Sequence, residues 1–267
     1  MAAPSPGQVI PIAGVPNLRD LGGWKAPGGR VVRGQVFRSA EFAKLQDDDA
    51  TSFAALGIRS VYDLRTDEER AAQANVVPEG VEYVIVDVLA DHSGAGPAQL
   101  LRILSDPQGA EEMLGGGKAV TIFKGSYREF LYLPSAMAGF RRFFTAVSQQ
   151  EHRPALFHCT TGKDRTGWAA ASLLMLLGVD EDDVLADYLL TNDELLPSLQ
   201  PTIDQFAAIG GDPELLQPVL GVREEYLDAA RDEMVTRYGS IDGYFSDGLQ
   251  LGTATIDRLR SSLVESV

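Results

Sequence analysis

The chain has 267 residues, a formal charge of −15 at neutral pH and a hydrophobic fraction of 45%. That length suffices to bury a sizeable core without covalent staples, and the acidity argues against nucleic acid as a general partner. A single cysteine excludes an internal disulfide, suits a reducing compartment and leaves one thiol free for chemistry.

Residues 1–7 have neither a basic region nor an apolar run, so no secretory signal is visible, and no segment is apolar for long enough to span a membrane. Arg30–Arg33 and Gln35–Arg38 read as short strands joined by Gly34. Asp47-Asp48-Asp49 can cap and charge the start of a helix ending near Gly57. Ser60–Leu64 and Tyr83–Asp87 are β-branched or aromatic runs of strand length. Pro97–Leu114, followed by Gly115-Gly116-Gly117, reads as a helical insert with a hinge. Tyr127–Ser148 has apolar positions at helical spacing and predicts one long crossover helix.

Ala155–His158 predicts the central strand, and Thr166–Leu177, closed by Gly178, the helix after it. From Trp168 onward that helix is apolar on nearly every face, which places it in the middle of the molecule. Beyond Asp180 the pattern is helical throughout. Within it, 194–223 combines apolar stripes with Gly210-Gly211, Pro213 and Pro218, and is a candidate lid. Strands alternating with helices imply an α/β fold with a mostly parallel sheet covered on both faces. No linker, charge block or repeat divides the chain, so one domain is expected over 1–267. Charge is uneven: residues 1–46 carry a local +4 and residues 180–267 a local −14. The second figure fits a solvated acidic surface; the sharper alternative is an acidic cover over a basic mouth.

The chemistry concentrates in His158-Cys159-Thr160-Thr161-Gly162-Lys163-Asp164-Arg165-Thr166-Gly167. A lone cysteine after an apolar strand is ordinarily a small core residue. Here it falls in a strand-to-helix turn, where backbone N–H groups and the helix dipole converge on one anion. Arg165 adds a planar fork for two phosphate oxygens. The same field is expected to depress the thiol pKa below its free value of about 8.5. Gly162 permits a positive φ in mid-loop, and Thr166 places a hydroxyl near the sulfur. Lys163, Asp164 and Arg165 are three charges that do not belong in a packed core. Thr160 to Thr166 would therefore bind phosphate, with Cys159 attacking phosphorus.

With those residues in view, the loop resembles the signature of the cysteine-dependent protein tyrosine phosphatase superfamily, in a form similar to one bacterial branch. Asn17-Leu18-Arg19-Asp20-Leu21-Gly22-Gly23, Phe37-Arg38-Ser39-Ala40 and Val61-Tyr62-Asp63-Leu64-Arg65 resemble its N-terminal motifs. Ala186-Asp187-Tyr188, Asn192-Asp193 and Leu220–Leu227 continue the match, whereas 92–125 matches least. The resemblance implies a phosphatase-like fold with a helical lid, and a phosphotyrosyl protein as substrate. Phosphoserine, phosphothreonine or phosphoinositides are further substrates in the family. It also implies that Asp164 is functionally important, and that a branch member can be exported without an ordinary signal. A cytoplasmic location and signal-less export both stay open.

On this reading Cys159 forms a cysteinyl-phosphate, Arg165 and the loop amides stabilise the equatorial oxygens, and Thr166 stabilises the leaving thiolate. No cofactor or metal is needed, and His92, His152 and His158 lack ligand spacing. His158 is expected to orient the loop, with proton acceptance as the alternative. The general acid is assigned jointly to Asp164 and Asp87, with Asp91 as a competitor. Asp63 and Arg65 are expected to pair beneath the site. Lys163 is either solvated support for a phosphomonoester or, as in phosphoinositide phosphatases, extra charge for a lipid headgroup. A catalytically silent phospho-ligand module is the non-enzymatic alternative, and a monomer is favoured.

Overall fold

The computed structural model describes residues 5–92 and 104–266. Its main sheet has five strands: β1 (Arg19–Asp20), β4 (Val36–Ser39), β5 (Ser60–Asp63), β6 (Glu82–Ile85) and β7 (Ala155–His158). They lie in the order β1-β4-β7-β5-β6, with β4, β7, β5 and β6 parallel and β1 antiparallel at one edge. The run Ala-Leu-Phe-His of β7 is buried at every position, as a central parallel strand requires.

The alternation of side chains sorts the core into two layers. Val36, Tyr62, Ala155 and Phe157 face the larger cluster with Phe140, Phe143, Phe144 and Trp168. Phe37, Val61 and Leu156 face the opposite one, with Phe42, Phe53 and Ile58. The larger face is covered by α5 (Pro134–Val147), α6 (Asp164–Leu176) and α9 (Glu224–Tyr238); the other receives α1 (Asp47–Ala54). α6 buries eleven of its thirteen residues, in keeping with its lack of a polar face.

Three expectations are corrected. The long helix over Tyr127–Ser148 is two helices, α4 (Lys118–Glu129) and α5, because Pro134 can open a helix but not continue one. The strand expected at Arg30–Arg33 is Gly29–Val31 (β3), and it lies outside the main sheet. It joins β2 (Lys25–Ala26) and the C-terminal β8 (Val264–Glu265) in a small antiparallel sheet. The region after Asp180 is therefore not wholly helical.

The insert expected at Pro97–Leu114 lies partly outside the described residues; its described part contains α3 (Pro107–Leu114). α7 (Glu181–Ala208) runs for 28 residues through Pro197 and Pro201, then turns at Gly210-Gly211 into the one-turn α8 (Gln217–Leu220). Leu216, Leu220 and Phe206 pack with Ala110, Leu114 and Ala119 in a third cluster, so the two lid candidates share one small core of their own. Among the described residues no helix is long and apolar enough to cross a membrane.

Candidate active site

Residues 159–163 form the turn from the carboxyl end of β7 into the N-terminus of α6, the crevice where open parallel sheets receive ligands. Cys159 is a free thiol, 1% exposed. Gly162 has φ +68°, and a Cβ there would lie 2.4 Å from the Ser39 carbonyl oxygen, so no other residue fits without moving β4.

Four consecutive loop carbonyls are engaged from outside. His158 Nδ1 lies 3.0 Å from Cys159 O, the Glu41 amide donates to Thr160 O at 3.2 Å, and Asn17 Nδ2 donates to Thr161 O and Gly162 O at 3.3 and 3.1 Å. Arg38 Nη2 also donates to Gly162 O, at 2.9 Å.

Behind these donors the N-terminal motifs form a buried ionic cluster. Arg38 Nη1 pairs with Asp187 Oδ2 at 2.8 Å, and Arg19 donates to Asn17, to Asp187 O and to Thr191. Two guanidiniums share the Asp187 carboxylate, and Glu194 also acts on Arg19. Burial, then repulsion from Arg38, pull the Arg19 pKa down to about 9. The motif Asn17-Leu18-Arg19 is thus the scaffold of the phosphate loop. Asn17 itself sits at φ 58°, a conformation asparagine tolerates better than most residues.

His158 is fully buried; its Nε2 is 2.8 Å from Asn75 Nδ2, and burial lowers its pKa to about 4. The ring is therefore an orienting group, pointed away from the loop interior. Asp63 and Arg65 pair as expected, through Arg65 Nε at 3.0 Å and Nη2 at 2.8 Å, with Glu41 accepting from Nη1 at 2.7 Å.

Arg165 has a partner that sequence reasoning missed. Its Nη1 and Nη2 donate to the two oxygens of Glu69 at 2.6 Å each, and Thr160 Oγ1 donates to Glu69 Oε1 at 2.5 Å. Glu69 belongs to α2 (Asp67–Ala72), where it completes a capping box with Thr66. Burial opposes the Glu69 charge, but Arg165 outweighs it and holds the pKa at about 2. Burial likewise opposes the Arg165 charge, and Cys159, Glu69 and Asp164 outweigh it, so the guanidinium pKa lies above its ordinary value. Thr66-x-x-Glu69 is legible as a cap; its union with an arginine 96 residues away is not.

The acid candidates separate. Asp87 accepts from the Leu89 amide at 2.9 Å, and burial raises its pKa against the pull of that amide, Arg70 and Arg165. Asp91 is bound to the Ser135 amide at 2.9 Å and to its hydroxyl, at the start of α5, which gives it a structural role. Asp164 opens α6, 3.5 Å from Lys163 Nζ, and accepts from Tyr127. Lys163 itself turns away from the loop interior. Its ammonium donates to Val219 O at 2.6 Å and Gly221 O at 3.0 Å, lies 4.4 Å from the Phe123 ring centroid, and has its pKa lowered by burial. Thr166 Oγ1 is buried without a hydrogen-bond partner among the described residues.

Cys159, the Gly162 turn and the Arg165 fork thus meet at one loop between β7 and α6. Residues 10–265 match the model of the tyrosine phosphatase family, and the chain belongs to that family. It is 34% identical over 244 residues to a protein named as a tyrosine-protein phosphatase from Cupriavidus necator, covering 91% of this chain and 84% of that one. It is 33% identical over 255 residues to the triple specificity protein phosphatase PtpB of Mycobacterium tuberculosis, covering 86% and 91%. A tyrosine-protein phosphatase of Nostoc commune is 29% identical over 158 residues, 58% of this chain and 47% of that one. The protein is a hydrolase of phosphoric monoesters.

Proposed function

We propose that this chain dephosphorylates phosphotyrosyl proteins through a cysteinyl-phosphate intermediate. The observation that carries the reading is the loop geometry: Cys159 at its floor, four carbonyls held outward and Arg165 pinned beside it. Cys159 attacks phosphorus in line, while Arg165 and the amides of Thr160 to Thr166 take the charge that spreads onto the equatorial oxygens. Arg165 remains suited to this because Glu69 occupies its Nη1–Nη2 end and, among the described residues, the Nε side is left unspent. Asp164 and Asp87 share the proton transfers, supplying the leaving phenolate and activating the water that cleaves the thiophosphate. Thr166, whose buried hydroxyl has no partner among the described residues, stabilises the departing thiolate.

Action on phosphoserine and phosphothreonine as well is supported by the printed name of the mycobacterial relative, a triple specificity phosphatase. The phosphoinositide alternative loses its main support, because the Lys163 ammonium is committed to two protein carbonyls. The chain acts as one phosphatase domain, with 194–223 as its lid. Support comes from the bonds of Lys163 to Val219 and Gly221 and from the separate core of that region. The lone buried thiol suits a reducing compartment.

The test is a panel of phosphotyrosyl, phosphoseryl and phosphothreonyl peptides and soluble phosphoinositides, with vanadate inhibition, run beside Cys159→Ser. Vanadate-sensitive turnover, greatest on phosphotyrosine and absent from the variant, is expected. Binding without turnover on every substrate would replace the enzyme by a phospho-ligand module.

A further inference from the structure

Asp164 is held by a chain of hydroxyls that the cysteine chemistry does not itself require. Tyr127, on α4, is fully buried, and its hydroxyl donates to Asp164 Oδ1 at 3.0 Å. The Tyr188 hydroxyl, on α7, lies 2.6 Å from the Tyr127 hydroxyl and is buried as well. The two rings meet edge to face with centroids 6.2 Å apart, so neither hydroxyl can swing to another acceptor without breaking that packing.

We propose that Tyr127, backed by Tyr188, is a positioning residue that orients the Asp164 carboxyl through both of its charge states. The proposal rests on the reading that Asp164 takes part in proton transfer. An ionised carboxylate only accepts hydrogen bonds, so Tyr127 must give its one proton to Asp164 and receive one from Tyr188. When the carboxyl carries a proton on Oδ2, Oδ1 still accepts from Tyr127, so the acidic proton stays free for transfer. The same three oxygens stay in register in both charge states. A group that gives a proton to the leaving phenolate and takes one from water needs this property. No proton leaves the chain, because both tyrosines keep theirs: burial, then the charge of Asp164, place the Tyr127 hydroxyl well above its ordinary pKa.

The other groups facing Asp164 are Lys163, 3.5 Å away, Arg165 and Tyr226. Removal of the Tyr127 hydroxyl thus leaves Oδ1 without its neutral donor and frees the carboxyl to turn toward the cationic Lys163 and Arg165.

The experiment compares kcat and KM for phenyl phosphate, whose leaving group needs a proton, and for p-nitrophenyl phosphate, whose leaving group needs one far less, in wild type, Tyr127→Phe, Tyr188→Phe and Asp164→Asn. Thermal melting of each variant shows that it folds. Tyr127→Phe is expected to lower kcat on phenyl phosphate ~10-fold while changing it less than ~3-fold on p-nitrophenyl phosphate and leaving KM alone, with a smaller split in the same direction for Tyr188→Phe. Asp164→Asn should show the largest split. An equal loss on both substrates in Tyr127→Phe would overturn the proposal. Wild-type kcat on both substrates in Asp164→Asn would overturn it too, by removing Asp164 from the proton transfers. In that case wild-type turnover lost in Cys159→Ser still leaves the phosphatase reading standing.

Discussion

The two flanks of the phosphate loop are anchored in different ways. On the Arg165 side the anchors belong to the sheet and its connections: Asn17 and Arg38 on the carbonyls, Glu69 on the guanidinium. On the Lys163–Asp164 side they belong to the outer helices: Tyr127, Tyr188 and the carbonyls of Val219 and Gly221. The first flank is rigid because charged groups are buried in mutual pairs, which cannot be separated without stranding a charge. The second rests on a lysine whose acceptors lie at the edge of a separately packed cluster, and on a carboxylate whose tyrosine partners belong to the main core. One flank is thus fixed by buried ion pairs within the sheet region, and the other ties the loop to helices outside it.

Substitutions can break this contrast at graded cost. Cys159→Ser removes the nucleophile and should lower kcat by at least about a thousandfold, as steady-state turnover of p-nitrophenyl phosphate would report. Arg165→Lys loses the fork and should cost on the order of a hundredfold in kcat/KM, a lysine offering only a point charge. Glu69→Gln releases the end of the Arg165 guanidinium and should cost about tenfold, with weaker competitive inhibition by inorganic phosphate. Thr66→Ala removes the helix cap while sparing the carboxylate, and should leave that inhibition unchanged. Equal effects from both would reduce Glu69 to a capping residue.

Lys163→Met acts on the other flank. It is expected to change kcat less than ~10-fold while making the backbone around Val219 and Gly221 exchange hydrogen faster. A loss confined to phosphoinositides would restore the lysine to the substrate side.

The smallest effect is on stability. His158 has a folded pKa of about 4, below its unfolded value, so the unfolded chain binds more protons between the two. The His158 contribution should therefore fall as pH drops below about 6.5 and level off below about 4, by at most about 2 kcal/mol between pH 7 and 5. Glu69 adds a further loss only at the acid end, because its folded pKa of about 2 lies below the ordinary carboxylate value and the unfolded chain takes up its proton below about pH 5. Urea denaturation of wild type and His158→Asn across this range checks the assignment; an equal slope in both would locate the titration elsewhere.

Local rules made much of this protein legible in its sequence. The buried strand Ala155–His158, the turn containing Cys159 and Gly162, and the apolar helix after it each follow from a few neighbouring residues. A continuous buried run and a positive-φ glycine are properties of the chain itself. Asp63–Arg65 was legible for the same reason, as a pair two residues apart. What failed were breaks and distant unions. Pro134 divides a pattern that periodicity alone would extend, and Val264–Glu265 becomes a strand only because β3 lies beside it.

The tertiary structure alone decided which charges meet. Glu69 finds Arg165, Asp91 is spent on Ser135, Lys163 turns toward Val219 and Gly221, and Tyr127 reaches Asp164. Spacing along the chain determines which chemistry a residue can perform. The partner of a buried charge is set by the desolvation cost of leaving it unpaired, and that cost exists only once the fold has brought distant elements together.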